Sequence, residues 1–124
     1  MIFDVVLTDD DDSNLYRRMK AYINNGLITF YSEAKEYSPS PHELGVMSMG
    51  LMEYLTENSM FDIGLNLKRS GITSRIDENG NVTFMEGGLT DLNDYFCKII
   101  DDEVAKHSPG WGDKEVNVDI VEVR

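Results

Sequence analysis

Apolar and polar residues alternate over several short segments of the chain, and this two-residue period predicts β-strands. The first such segment is the apolar, β-branched run Ile2–Leu7, and a second is Leu27–Tyr31. The most regular alternation lies in Glu115–Val123, which predicts a strand at the end of the chain. The side chains of this last strand that are expected to face a core are Val116, Val118, Ile120 and Val121.

Residues 14–23 are predicted to form a first helix, because their apolar side chains recur at helical spacing. Ser13 is a suitable N-cap, and Asn24–Gly26 is a suitable C-terminal stop with its glycine in the left-handed conformation. With the strands on either side, this helix could complete a short parallel βαβ unit. The apolar positions of the predicted helix are Leu15, Met19, Tyr22 and Ile23.

Two later segments carry clearer signals for helices. Ser40 is followed by a proline and, three residues on, by Glu43, which is the pattern of a capping box. A helix is therefore predicted over Pro41–Asn58. Another is predicted over Asp91–Lys106, with Thr90 as its N-cap.

The stretch between these two helices predicts strands. Phe61–Leu67 alternates loosely, whereas Ile72–Ile76 and Val82–Met85 flank Asn79-Gly80, a pair that suits a type I′ hairpin turn. The predicted order is β-α-β-α-β-β-β-α-β in a single α+β domain, residues 1–124. Short strands with about three helices indicate a mainly antiparallel sheet on which the helices pack.

Composition narrows the classes of function. Acidic residues number 23 against 11 basic ones, so the formal net charge is −12. Such a field repels nucleic acid and anionic membranes and attracts basic surfaces, so direct binding to nucleic acid or membrane is not expected. The competing interpretation is that the charge serves only to keep the protein soluble.

The cellular setting is predicted from the cysteine content and from the start of the chain. Cys97 is the only cysteine, so the chain has no internal disulfide, as is usual in a reducing compartment. The first residues, Met1–Asp4, lack the basic region of a secretory signal, and no apolar run approaches the length of a membrane-spanning helix. We expect a cytoplasmic protein.

Motifs for metal binding or catalysis are weak. Asp9–Ser13 and Asp77–Asn81 imitate the start of a calcium loop, but neither has the required glycine and closing glutamate. Cys97 lies inside a predicted helix, where its thiol is not activated, and the two histidines are far from it in sequence. We expect no metal, no cofactor and no enzymatic activity.

The acidic residues are the remaining candidates for a site. Four consecutive carboxylates, Asp9 to Asp12, repel one another by roughly 0.7 kcal/mol per pair at about 6 Å in water, so a partner's positive charge would relieve them. A second acidic cluster stands near the end of the last predicted helix, close in sequence to a tryptophan that could anchor an interface or, alternatively, cover the edge of the core. The expected partner-binding residues are Asp9, Asp10, Asp11, Asp12, Asp101, Asp102, Glu103 and Trp111.

These features favour a small acidic inhibitor that binds the basic, nucleic-acid-binding surface of a nuclease or defence effector. Its carboxylates would stand where phosphates normally bind. Immunity proteins against nuclease toxins and phage anti-defence proteins, including anti-CRISPRs, share this strategy and general size, which is an analogy. The alternative is a structural or adaptor subunit of a phage or bacterial assembly. Such a subunit would form homo-oligomers through a sheet edge or through the methionine-rich face of Met47–Met52.

Overall fold

A six-stranded antiparallel sheet with two helices on one face forms the part of the protein that the computed structural model describes. That part comprises residues 1–9, 16–33, 37–58, 71–107 and 116–123, without the side chains of residues 9, 103–107 and 116. The elements are β1 (Ile2–Asp9), β2 (Tyr16–Asn24), β3 (Leu27–Tyr31), α1 (Pro41–Glu57), β4 (Ile72–Ile76), β5 (Val82–Gly88), α2 (Leu89–His107) and β6 (Val116–Val123).

The strands lie in the order β4-β5-β3-β2-β1-β6. Every neighbouring pair is antiparallel, which confirms the predicted α+β class and the mainly antiparallel sheet. The first and last strands pair along their whole length, from Ile2 opposite Val123 to Asp9 opposite Val116. The predicted order of elements is wrong, because two helices rather than three are present among the described residues.

The predicted first helix is instead the strand β2. Met19, Ala21 and Ile23 are buried on one face of the sheet, while Arg18 and Lys20 point to the other. The same sequence satisfies a strand period and a helix period, and tertiary pairing with β1 and β3 selects the strand. The parallel βαβ unit is therefore also wrong: the first three strands form an antiparallel meander.

Two Asn-Gly pairs turn the chain in different ways. Asn25 and Gly26 have φ of 54° and 80°, so they form a two-residue turn of the I′ kind between β2 and β3, where a helix stop was predicted. The second pair lies in the predicted β4–β5 hairpin, which is confirmed, but only Gly80 has a positive φ there. Its loop is longer, because the side chain of Asp77 accepts hydrogen bonds from the backbone of Asn79 and Asn81.

Helix α1 begins as the sequence predicts. The Ser40 hydroxyl accepts a hydrogen bond from the backbone N–H of Glu43, whose carboxylate accepts one from the backbone of Ser40, which completes the capping box. The helix ends at Glu57, one residue earlier than predicted. Its start is joined to the sheet, because Arg17 of β2 lies 3.4 Å from the carboxylate of Glu43.

The core lies between the sheet and the two helices. Helix α2 follows β5 directly and packs over β5 and β3, with Phe96 edge-to-face on Phe30. Helix α1 packs over β1 and β6, with Tyr54 edge-to-face on Phe3. Among the described residues neither helix is long and apolar enough to cross a membrane. The fully buried large side chains are Phe3, Leu7, Met19, Ile28, Phe30, Leu44, Met47, Leu51, Leu55, Met85, Leu92 and Phe96.

Strand β6 confirms the predicted alternation in part. Val118 and Ile120 pack against the core, but Val121 is 59% exposed on the opposite face and does not point inward as expected. The reason is the period of a strand, which places residues 118 and 121 on opposite faces. The predicted strand Phe61–Leu67 lies outside the described residues.

Candidate functional site

One end of the sheet brings together most of the described residues of the candidate site. At this end, called the loop end below, β1 and β3 finish and β2, β5 and β6 begin. Helix α1 also starts here, since the backbone N–H of Val82 at the start of β5 donates to the carbonyl of Pro39, 2.7 Å away. Antiparallel pairing therefore places the end of β1, the described residues after β3 (32–33 and 37–40), the β4–β5 turn and the start of β6 at the loop end.

The predicted acidic residues are found only partly within the described structure. Asp9 is the last residue of β1, at the loop end, and its carboxylate is outside the described side chains. Asp101 and Asp102 are exposed on α2, close to Ile100, whose side chain lies near Gly45 in the first turns of α1. The C-terminal half of α2 thus also approaches the loop end.

The other predicted site residues are not described. Glu103 belongs to α2, but its side chain lies outside the described part of the structure. Asp10, Asp11 and Asp12, as well as Trp111, lie outside the described residues altogether. The strands that precede and follow these three aspartates in sequence, β1 and β2, are antiparallel neighbours.

A cleft lies on the open face of the sheet, the face opposite the helices, at the start of β2. Its volume is about 180 Å³. The walls come from the start of β2, the end of β3 and the segment before α1, so they sit at the loop end. Residues one apart along a strand face opposite ways, which explains why alternate residues of β2 line the cleft. The lining residues are Tyr16, Arg18, Lys20, Tyr31, Glu33 and Tyr37.

Two aromatic pairs give the cleft its shape. The rings of Tyr16 and Tyr37 meet edge-to-face with centroids 5.2 Å apart, although Tyr16 and Tyr37 remain 36% and 43% exposed. The rings of Tyr22 and Tyr31, from neighbouring strands, are stacked with centroids also 5.2 Å apart. Both arrangements are favourable ring geometries, so the tyrosines form a firm platform rather than independent surface side chains.

Hydrogen bonds join the stacked pair Tyr22 and Tyr31 to the carboxylate of Glu33. The hydroxyls of Tyr22 and Tyr31 are 2.8 Å apart, and the hydroxyl of Tyr31 donates to Glu33 over 3.2 Å. The bond with Tyr22, then burial, then the bond with Glu33 raise the pKa of Tyr31 above its ordinary value. Tyr31 is consequently a neutral phenol throughout the physiological range.

The two cations that line the cleft are already paired. Arg18 donates to Asp4 over 3.1 Å, and this hydrogen bond with the charge of Asp4 raises the pKa of the guanidinium. Lys20 lies 3.6 Å from Glu33. The two cations and two carboxylates sum to no net formal charge. Because the whole chain carries −12, the cleft is a poor site for a phosphate or another free anion.

Neither metal binding nor nucleophilic catalysis gains support from the described residues. Within them, no three His, Cys, Asp or Glu side chains come together as metal ligands. Cys97 is half-buried in α2, and its thiol faces Asn93 at 4.0 Å. An uncharged amide does not activate a thiol as a neighbouring cation would.

The Tyr16–Tyr37 pair is the element of this site that the sequence analysis missed. Residues 14–23 are predicted to form a helix and Tyr37 belongs to no predicted element, so nothing in the sequence indicates that the rings of Tyr16 and Tyr37 touch. The usable signal was the strand period of β2, which places Tyr16, Arg18, Lys20 and Tyr22 on one face.

Comparisons of the chain with protein-family models, curated proteins and solved structures found no match. The function is therefore argued from the site alone.

Proposed function

We propose that this protein is an acidic inhibitor that binds the basic, nucleic-acid-binding surface of another protein, of the nuclease or defence-effector class. The observation that carries the proposal is the exposed Tyr16–Tyr37 pair, because Tyr16 follows the acidic stretch of the sequence within a few residues. An acidic stretch that leads directly into a strand with an exposed tyrosine would combine charge attraction with the kind of aromatic anchor common in protein interfaces.

Charge and anchor have separate tasks in this proposal. The negative field of the chain speeds encounter with a basic surface, and its effect weakens as salt screens it. The tyrosine rings, held by their edge-to-face contact and by neighbouring hydrogen bonds, lose little conformational freedom on binding, so their contact area contributes efficiently to affinity. The tyrosine pair thereby takes the anchoring role that the sequence analysis gave to Trp111.

Competition with nucleic acid tests the proposal. The immobilised protein is used to isolate a basic protein from a bacterial lysate, and the purified complex is challenged with duplex DNA and with an uncharged polymer. We expect DNA to displace the partner and the inhibitor to reduce the partner's nucleic-acid binding. A partner that binds DNA and this protein simultaneously would contradict phosphate mimicry.

Two matched triple variants test which carboxylates are used. Asp10→Asn, Asp11→Asn and Asp12→Asn together change the net charge from −12 to −9, and so do Glu78→Gln, Asp94→Asn and Glu122→Gln, at exposed or half-exposed positions in the β4–β5 turn, α2 and β6. We expect the first triple variant to lose about tenfold or more in affinity, and the second to lose much less. Equal losses would show that only overall charge matters.

A second candidate function, a self-associating structural or adaptor subunit, is favoured by β6. This strand pairs only with β1 among the described strands, and Val121 and Val123 are 59% and 37% exposed on it. An apolar strand at a sheet edge is a template for pairing with another chain. Light scattering separates the candidates: a stable dimer that Val121→Lys dissociates supports the subunit, and a monomer supports the inhibitor.

A further inference from the structure

A second groove lies on the other side of the molecule from the tyrosine cleft, between the outer side of α1 and β6. Its volume is about 500 Å³. Helix α1 contributes residues spaced three and four apart, so one continuous face of the helix lines the groove over about three turns. The floor residues used below are Val46, Met49, Gly50, Val118 and Ile120.

The floor of the groove is apolar and half-exposed. Val46, Met49, Val118 and Ile120 pack against the core from its edge, and none of them is fully buried. Helix α2 lies on the opposite side of α1, against Gly45, so among the described elements the helix layer ends at α1. The inward side of β6 therefore has α1 on one side of it, and its Val118 and Ile120 stay only half-buried.

The rim of the groove is acidic. Glu53 and Glu57 are exposed on the last turns of α1, one turn apart, and neither forms an ion pair with a described residue. Like charges at this spacing repel each other, and carboxylates near a helix C-terminus oppose its dipole. The last turn of α1 contains no basic residue to offset them. A cation supplied from outside would relieve both effects.

We infer that the groove between α1 and β6 binds an amphipathic basic helix of the partner protein. The partner helix would lie beside α1 and extend the helix layer over β6, with its apolar side chains on Met49, Val118 and Ile120 and its lysines or arginines at Glu53 and Glu57. Helix-in-groove recognition uses this combination of apolar anchors at helical spacing with flanking charge. The inference rests on the proposed function, because it assumes that the partner is basic.

The test uses a synthetic helical peptide of leucine and lysine with its leucines at helical spacing, and a peptide of the same composition in scrambled order. Each is titrated into the isotope-labelled full chain and followed by NMR. We expect the amphipathic peptide to shift the signals of Met49, Gly50, Val118 and Ile120 and the scrambled peptide to bind much more weakly. Equal binding of the two peptides would overturn the inference, since it would reflect charge alone.

Two charge-matched variants locate the peptide. Glu53→Gln with Glu57→Gln removes two rim carboxylates, and Asp101→Asn with Asp102→Asn removes two exposed carboxylates from α2. We expect the rim variant to weaken peptide binding by about tenfold, as two ion pairs of ordinary strength would, and the α2 variant to have little effect. Circular dichroism checks that both variants remain folded.

The outcomes separate this inference from the proposed function. If the peptide shifts signals around Tyr16 and Tyr37 and responds to the α2 variant, the groove inference is overturned and binding of basic partners by the loop end stands. If the groove is protected from the peptide by residues of the chain itself, the NMR signals at Met49 and Val118 stay unchanged, which also overturns it. If only the rim variant loses partner binding, the groove inference stands and the proposed binding through the loop end is overturned.

Discussion

The central strands and the outer strand β6 carry the same alternating pattern, yet they differ in how fully the helices cover it. Phe3, Met19 and Phe30 on the central strands are at most 1% exposed, whereas Val118 and Ile120 on β6 are only half-buried. Helices α1 and α2 together cover the centre, and α1 is the helix that packs on β6. Alternation therefore predicts which side of a strand is apolar, but not whether that side becomes core or surface.

This difference separates stability from binding. Apolar side chains in the centre contribute to stability in proportion to the area that they remove from water. Side chains at the edge contribute less and remain available to another molecule. The same division explains why the two surfaces proposed for binding, the tyrosine cleft and the groove beside α1, both lie away from the covered centre of the sheet.

The largest expected effect comes from the centre. Phe96→Ala removes a fully buried ring that packs edge-to-face on Phe30, so we expect it to reduce the free energy of unfolding by about 3–5 kcal/mol. Val118→Ala on β6 removes two half-buried methyl groups and should cost about 1 kcal/mol. Urea unfolding of both variants measures the two losses. Similar losses would contradict the proposed difference between centre and edge.

A pair of glycines in α1 tests the packing at the edge more finely. A Cβ on Gly50 would lie 2.5 Å from the Val118 side chain, whereas a Cβ on Gly45 would lie 3.5 Å from that of Ile100. Valine is stiff and cannot easily move aside, so Gly50→Ala should destabilise by about 1–3 kcal/mol. Gly45→Ala makes an ordinary contact and should stabilise by up to about 1 kcal/mol, the difference in helix propensity.

Thermal unfolding shows whether each glycine variant is more or less stable than the wild type. Addition of Val118→Ala to the Gly50→Ala variant should recover much of its loss, because the shorter side chain makes room for the new methyl group. If both glycine variants shift the melting temperature in the same direction, the predicted tight contact between Gly50 of α1 and Val118 of β6 is contradicted.

The smallest expected effect concerns the open face, where polar contacts replace apolar burial. Tyr31→Phe removes the hydroxyl that contacts Tyr22 and Glu33 and should cost about 1 kcal/mol at neutral pH. Because the fold raises the pKa of Tyr31, its contribution is fully present below the unfolded pKa of about 10 and is lost as pH rises through the folded value. Alkaline titration followed by tyrosinate absorbance should show a late component in the wild type.

That late component should be absent from the Tyr31→Phe variant and present in Tyr37→Phe, which serves as the control. Identical titration curves for the wild type and Tyr31→Phe would mean that the fold does not hold this phenol in its neutral form.

Local signals predicted the fold where one interpretation dominated. The Ser40–Glu43 capping box and the β4–β5 hairpin each has a single physical explanation, and both are confirmed, whereas the inward set of β6 is confirmed for Val118 and Ile120 and wrong for Val121. The prediction for the residues of β2 was wrong because Met19 and Ile23 fit the helix and strand periods equally well, and Asn25-Gly26 fits both a helix stop and a hairpin turn. Only the pairing with neighbouring strands decides between these interpretations.

The candidate site was less predictable than the fold. The acidic run Asp9–Asp12 is visible in the sequence because adjacent like charges are costly wherever they lie. The contact of Tyr16 with Tyr37 is not visible, since it depends on where the segment after β3 returns to the sheet. The groove beside α1 likewise depends on the position of β6, which becomes the neighbour of β1 only in the folded chain.

The salt dependence of binding to the purified basic partner tests the central claim most directly. The affinities of the wild type and of the two matched triple variants are measured by calorimetry at several salt concentrations. We predict that replacing Asp10, Asp11 and Asp12 lowers both the affinity and the slope of its logarithm against the logarithm of salt concentration, and that the control triple variant retains both. An affinity and a salt slope that the loss of these three carboxylates leaves unchanged would contradict the account.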